Sequence, residues 1–373
     1  MTIDLSYINK YFKDGVWDEE SLKTEFIEKK KDKYLLIKYR KQNLNEENIK
    51  TLGLFRSVIL DEKNIVCISP PKSLPYNETK KYKLYEFVEG TMMNVWYDSI
   101  ESKWKISSKS IVDAENRFYE NQSLFCEMFY ECCKNCKLNF DILKKDCCYS
   151  FVFQHPNNRI INVVTEPSLY LISAYKNNNN NTFDKISYVD LNYIEYKTNV
   201  RLPVCFIAPI NDIVLKSNNR ELPLSNMGFI LVQDNSIYHT KIRNKNFEII
   251  KKFKMNNTKL IDTFLNLKRK KMDDMYVKLF PEHIFDFNNF LIKYNMLIDY
   301  LYNLYYDINV IKCLELSELD NILKINLRNI HSYYIQNLRE KNARVNKDNI
   351  DEYIINLKNH IIVSLMNLDI LCY

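Results

Sequence analysis

The pair Glu89-Gly90 is the first place in this chain where residue type and spacing suggest chemistry. A carboxylate meets the first glycine in a long stretch, and residues 91–98 then alternate apolar and polar as a half-buried strand does. Such a glycine marks a tight turn where the backbone comes close to something. A second concentration is cationic. Lys241, Arg243, Lys245, Lys251, Lys252, Lys268 and Arg269 fall within residues 241–271, a segment with few acids. A phosphate-bearing partner and a plain solvated face both fit such a run. Cys133-x-x-Cys136 followed by Cys147-Cys148 offers enough thiols for tetrahedral zinc. Adjacent thiols on a strand point to opposite faces, however, and Cys126, Cys132, Cys133 and Cys136 also fit a helix burying small apolar side chains. No metal site is therefore expected. The histidines are scattered, with His155 in a proline-containing turn, and the sequence carries no Walker loop, dinucleotide fingerprint or H-E-x-x-H.

The chain has 373 residues, 46% of them hydrophobic and 27% charged. That is enough for one large or two to three modest domains with a real core. Lys, Asn, Ile and Tyr are heavily used and Gly occurs 4 times, a bias of genome composition that weakens arguments from lysine abundance. A net charge of +6 permits nucleic-acid binding without demanding it. The N-terminus has no basic region followed by an apolar one, and no apolar run approaches the ~20 residues of a membrane span. With 10 cysteines, free thiols in a reducing, cytoplasmic compartment are expected, and no membrane partner.

These residues need elements to position them. Residues 34–39 read as a strand between two short helices, the second starting at Asn45. Residues 57–60 and 65–68 form a hairpin around residues 61–64, and the prolines of residues 69–75 make that stretch irregular. Residues 104–110 read as a strand, 124–138 as a helix, and 149–154 and 160–164 as strands split by the His155-Pro156 turn. Residues 177–181, all asparagine, make a solvated loop tip. Residues 228–232 and 238–243 form the last strand pair. From about Asn256 onward the apolar spacing is helical, notably in residues 290–301 and 350–361, with Asp348 as N-cap of the last helix. The expected fold class is α+β: an N-terminal extension over 1–50 packed on an antiparallel-sheet domain over 51–255, then an all-helical domain over 256–373.

The order Arg56, Lys72, Glu89-Gly90-Thr91, Ser108-Lys109-Ser110, Phe151-Val152-Phe153, Pro156-x-Asn158-Arg159, Gly228-Phe229 and Lys241-x-Arg243 resembles the phage-type RNA ligase 1 family, over about residues 50 to 250. It is also similar to divergent ligase-like proteins of large DNA viruses, which share this style of E-G-T and Q-H-P-x-N-R segment. The resemblance implies an ATP-grasp-like covalent nucleotidyltransferase domain. In that family a motif lysine attacks the ATP α-phosphate, AMP passes to an RNA 5′-phosphate, and carboxylate-held metal ions stabilise the developing charge.

Carried over position by position, the nucleophile falls on Phe87 and the acid after it on Glu89. The family's metal-binding acids fall on Val152 and Met227, and its closing basic pair on Lys241 and Arg243. The resemblance thus implies a probe of phosphate without joining chemistry: Arg56, Lys72, Gly90, Lys109, Arg159, Lys241 and Arg243 would hold a nucleotide or phosphate. Lys245, Lys251, Lys252, Lys268 and Arg269 would contact RNA. The expected function is that of a catalytically inactive, RNA-binding pseudoenzyme of viral type, working in host cytoplasm or a viral factory. Two alternatives stand beside it. One is an active ATP- and Mg-dependent ligase using Lys72 or Lys83 as a relocated nucleophile, with Glu89 as a further catalytic candidate. The other is a structural subunit with protein partners in a larger viral complex.

Overall fold

The computed structural model describes residues 1–119, 123–233, 236–255 and 257–368. The chain divides into two compact units, Met1–Lys252 and Phe253–Tyr373. The expected domain boundary at residue 256 and the last residues, 369–373, lie outside the described residues.

The first unit is built on three larger antiparallel sheets and a two-stranded one, Phe12–Lys13 with Val16–Trp17. The largest has six strands in the order Thr2–Asp4, Thr182–Lys185, Ser168–Asn177, Cys147–Gln154, Thr91–Asp98 and Lys103–Ser108. Its central strands are nearly all buried, because one face packs on the Phe125–Asn135 helix and the other on a second core. On the helix side lie Met93, Val95, Phe129, Cys132, Phe151 and Phe153. The cysteines of that helix are core thiols. Among the described residues no group of three or more His, Cys, Asp or Glu side chains is placed to hold a metal ion.

A second sheet orders Cys205–Phe206, Tyr82–Glu86, Gly228–Gln233 and His239–Arg243. The third joins Phe26–Lys31, Tyr34–Tyr39, Val58–Leu60 and Ile65–Ile68. The hairpin around residue 61 turns as read, with the Asp61 carboxylate accepting the amides of Lys63 (2.8 Å) and Asn64 (2.7 Å). Residues 1–50 do not form two helices around a strand. They contribute one α-helix, Glu19–Glu25, and the 3-10 segments Ser6–Tyr11 and Lys41–Asn43, together with edge and inner strands of these sheets. At Asn45 the expected helix stops after one turn: Asn45 and Asn48 exchange side-chain caps, and residues 52–54 tighten into a 3-10 turn.

Residues 160–164 are not a strand either. Their β-branched composition favours one, but the amides of Ile161 and Asn162 donate to the Glu89 carboxylate at 2.6 and 3.1 Å. The asparagine run closes the hairpin between Ser168–Asn177 and Thr182–Lys185, with Asn179, Asn180 and Asn181 at φ 63, 49 and 59°. Asparagine tolerates that left-handed region better than most residues.

The second unit is helical: Leu260–Arg269, Asp273–Leu279, Ile284–Tyr306, Asn321–Asn337, Lys347–Ile355 and Asn359–Met366. Residues 350–361 are not one helix, since it breaks between 355 and 359. Its N-cap is Asn346, not Asp348, because Asn346 and Asn349 cap each other's amides at 2.9 and 3.1 Å.

Candidate functional site

The turn at residues 87–90 leads from the second sheet into the six-stranded one. Gly90 sits at φ 145°, and a Cβ there would lie 2.4 Å from the Phe153 carbonyl oxygen and 2.6 Å from Val152 Cγ1. Only glycine allows that approach. The neighbouring segments interlock around it. Gln154 Nε2 donates to the Glu89 carbonyl (2.8 Å) and Asn158 Nδ2 to Thr91 Oγ1 (2.8 Å). The Glu89 carboxylate also accepts from Asn162 Nδ2, and Arg159 Nε donates to the Ile161 carbonyl at 2.8 Å. Glu89 and Arg159 therefore hold the 159–162 loop, and neither lines the cavity described next. His155 is likewise engaged, its Nε2 2.8 Å from Glu131 and its Nδ1 accepting the Asn157 amide.

Between the two sheets opens a cavity of about 260 Å³. The six-stranded sheet lines it with Met92, Val152, Ile172, Tyr175 and Lys185; the second sheet adds Ile230, His239, Lys241 and Arg243. Phe87, Met227, Arg56 and Lys251 are also in the wall. Alternation on strand His239–Arg243 explains the charge: His239, Lys241 and Arg243 face the hollow while Ile242 packs in the opposite core. The Phe87 ring lies against two basic side chains, 4.7 Å from Lys241 Nζ and 5.7 Å from Arg243 Cζ. A ring's negative face suits that position.

The cavity's charges repel one another. Burial, then Arg56, Arg243, Lys109 and Lys72, push the Lys241 amine down to about 6. Burial, then Arg56, Lys38, Lys41 and Lys72, push Lys109 down to about 8. Lys72 is lowered by burial and then by Arg56 and Arg243, Lys185 by burial, and His239 by burial and then by Lys241 and Arg56. Arg243 has a counter-ion, Glu248 at 2.7 Å. The groups acting on Lys72, Lys109 and Lys241 are cations, those on Arg56 are two tyrosines and Arg243, and Lys185 is lowered by burial alone. The one acid in the wall, Glu86, accepts the Val204 amide at 3.4 Å. Arg56, Lys185 and Lys241 are half-buried, and Arg243 is exposed and paired to a carboxylate; basic groups of one sign placed in this way make a wall that suits an anion.

Of the residues singled out from sequence, Arg56, Gly90, Lys241, Arg243 and Lys251 line the cavity with Phe87, Val152 and Met227. Lys72 and Lys109 act on it electrostatically without lining it. Lys83 is exposed on strand Tyr82–Glu86 and outside the lining. Lys245 and Lys252 share the Lys245–Lys254 helix with Lys251. In the second unit, Lys268 Nζ lies 4.9 Å from the Tyr294 ring centroid. Arg269 is spent on that unit's interior: it donates to the Ile355 and Leu357 carbonyls, each at 2.6 Å, and to Asn359 Oδ1 at 2.5 Å. Sequence reading missed Lys185 and His239. His239 could have been found by counting back two from Lys241; Lys185 shares a strand face with core Phe183 and gives no local signal.

A larger hollow of about 820 Å³ lies along residues 44–50 and 74–82, but Glu46 and Glu78 there offset Lys50 and Lys80. It has no comparable one-sign cluster.

No family model matches the chain, and no curated protein does. Among solved structures it is similar to a putative ATP-dependent DNA ligase from Aquifex aeolicus, with a TM-score of 0.43 and 11% identity over 70% of this chain and 68% of that one. It is also similar to an archaeal ATP-dependent RNA ligase, with a TM-score of 0.40 and 12% identity over 97% of this chain and 81% of that one. A third is a variant of the Naegleria gruberi RNA ligase with ATP and Mn, with a TM-score of 0.36 and 8% identity over 56% of this chain and 68% of that one.

Proposed function

We propose that this protein is an RNA ligase-like pseudoenzyme of the nucleotidyltransferase fold, which grips a phosphorylated RNA end or a nucleotide but does not form the covalent nucleotide intermediate. The observation that carries the reading is Phe87, packed against Lys241 and Arg243 in one cavity with Val152 and Met227. A phenyl ring has no lone pair with which to attack phosphorus. Alkyl and thioether side chains do not ligate hard divalent cations, which take oxygen donors. Glu86 is the one acid among the described residues lining the cavity, so the protein supplies few oxygen donors for a catalytic Mg there. What the cavity retains is the means to hold phosphate: the guanidinium groups of Arg56 and Arg243, with Lys241 able to take up a proton when an anion enters.

RNA beyond its terminal phosphate would follow Lys245, Lys251 and Lys252 on the helix that carries a cavity residue. The relocated-lysine reading has less support, since neither Lys72 nor Lys83 lines the cavity. Fluorescence anisotropy of a 5′-phosphorylated RNA oligonucleotide, measured across a salt series, tests the proposal. Affinity should fall as salt rises, and Arg56→Met or Arg243→Met should weaken binding roughly 10- to 100-fold, the loss of one or two charge-assisted hydrogen bonds. Binding that ignores salt and both substitutions would sink it and favour a structural subunit.

A further inference from the structure

We propose that Lys241 is a reactive amine that forms an imine with small phosphorylated aldehydes or ketones held in the same cavity. The proposal rests on the cavity and its lysine, not on the nucleotide reading.

Lys241 has the placement such chemistry needs. Its side chain leaves strand His239–Arg243 toward the hollow, with Nζ 4.7 Å from the Phe87 ring centroid. That ring contact is its one specific partner among the described residues. From its own strand it is faced by His239 and Arg243, and from the opposite sheet by Lys185. Arg56 and Lys251 face it from the remaining walls, and Lys72 and Lys109 act on it from beyond them. Glu86 is the acid in the wall, Tyr85, Tyr175 and Tyr188 the phenols. A lysine surrounded by cations and apolar side chains gives up its proton readily, and the amine here is lowered to about 6. It is a free base at neutral pH.

The chemistry needs nothing else. The nitrogen lone pair attacks the carbonyl carbon, the C–N bond forms as the C–O π bond breaks, and the oxygen takes a proton to give a carbinolamine. That carbinolamine loses water to leave the C=N imine, with no oxidant, reductant or metal. Arg56 and Arg243 present planar donors suited to a phosphate. Phe87, Met92 and Val152 give the carbon skeleton an apolar surface. A volume of about 260 Å³ suits a molecule of sugar-phosphate size.

The probe is pyridoxal 5′-phosphate. The full chain is incubated with it at a series of pH values, reduced with borohydride, and mapped by peptide mass spectrometry. Lys241 should label at least about tenfold faster at neutral pH than exposed lysines, because each unit of depression multiplies the free-base fraction about tenfold. Its rate should rise with a midpoint near 6, and pyridoxal without the phosphate should label it more slowly. Lys241→Arg, which is of similar length but has no amine to condense with a carbonyl, should abolish the adduct, and a melting curve shows whether that variant is folded. Labelling spread evenly over surface lysines, or a midpoint near 10, overturns the proposal. Failure of RNA binding would leave this result standing, and failure of labelling would leave RNA binding standing.

Discussion

The Phe87 ring lies against an amine and a guanidinium and carries no group that could react with phosphorus. Its basic neighbours, Lys241 and Arg243, sit 4.7 and 5.7 Å from the ring centroid. Those neighbours cost stability, with a sign that can be worked out. The unfolded chain holds the Lys241 proton up to about 10.5, the folded chain only up to about 6. Between those values the unfolded state binds more protons, so this lysine's contribution makes stability rise with pH across the window, and below about 6 its penalty is complete. Lys241→Met should therefore raise the melting temperature at neutral pH by roughly 2–4 °C or more and flatten the pH dependence seen by calorimetry. Phe87→Lys alone should not create a covalent nucleotide adduct, because Val152 and Met227 still supply no metal ligand; mass spectrometry after incubation with ATP checks this. At this scale the K-x-R pair was legible, since alternation on a strand puts both side chains on one face. Lys185 was not, because its contribution depends on which strand crosses opposite.

The turn at residues 87–90 joins two sheets through close backbone approach. At Gly90 a methyl group would meet the Phe153 carbonyl at 2.4 Å, and at Gly228 (φ 130°) it would meet the Ile242 carbonyl at 2.1 Å. Neither obstacle is a flexible side-chain end. Gly90→Ala should cost on the order of 3 kcal/mol in denaturant unfolding, combining strain at positive φ with displaced backbone. Glu89 acts at the same scale. Its carboxylate takes two backbone amides and an amide side chain, so Glu89→Ala should cost about 1–3 kcal/mol and speed amide exchange at Ile161 and Asn162. That contact explains why residues 160–164 misled the sequence reading: their composition favours a strand, but their donors are claimed by a residue 72 positions away in sequence. Distant claims of this kind leave no local trace. Hairpins such as the one at Asp61, whose bonding is local, were readable for the same reason.

Across the whole molecule, the shift from strands to helical spacing was visible near residue 256, and the chain divides at Lys252/Phe253. The basic segment is split by that division. Its first part lies on the Lys245–Lys254 helix, while Arg269 belongs to the second unit's interior. Arg269→Ala should accordingly lower the second unit's stability by about 1.5–3 kcal/mol, the loss of charged hydrogen bonds to buried carbonyls, without weakening RNA binding as an Arg56 substitution does. Calorimetry of the full chain should show the shift in one of two transitions. The reading of a phosphate-gripping, non-joining protein is tested most directly by incubating the full chain with α-labelled ATP and Mg or Mn and resolving it under denaturing conditions. The account predicts no label retained on the polypeptide. A labelled band that maps to any lysine of the cavity would contradict it.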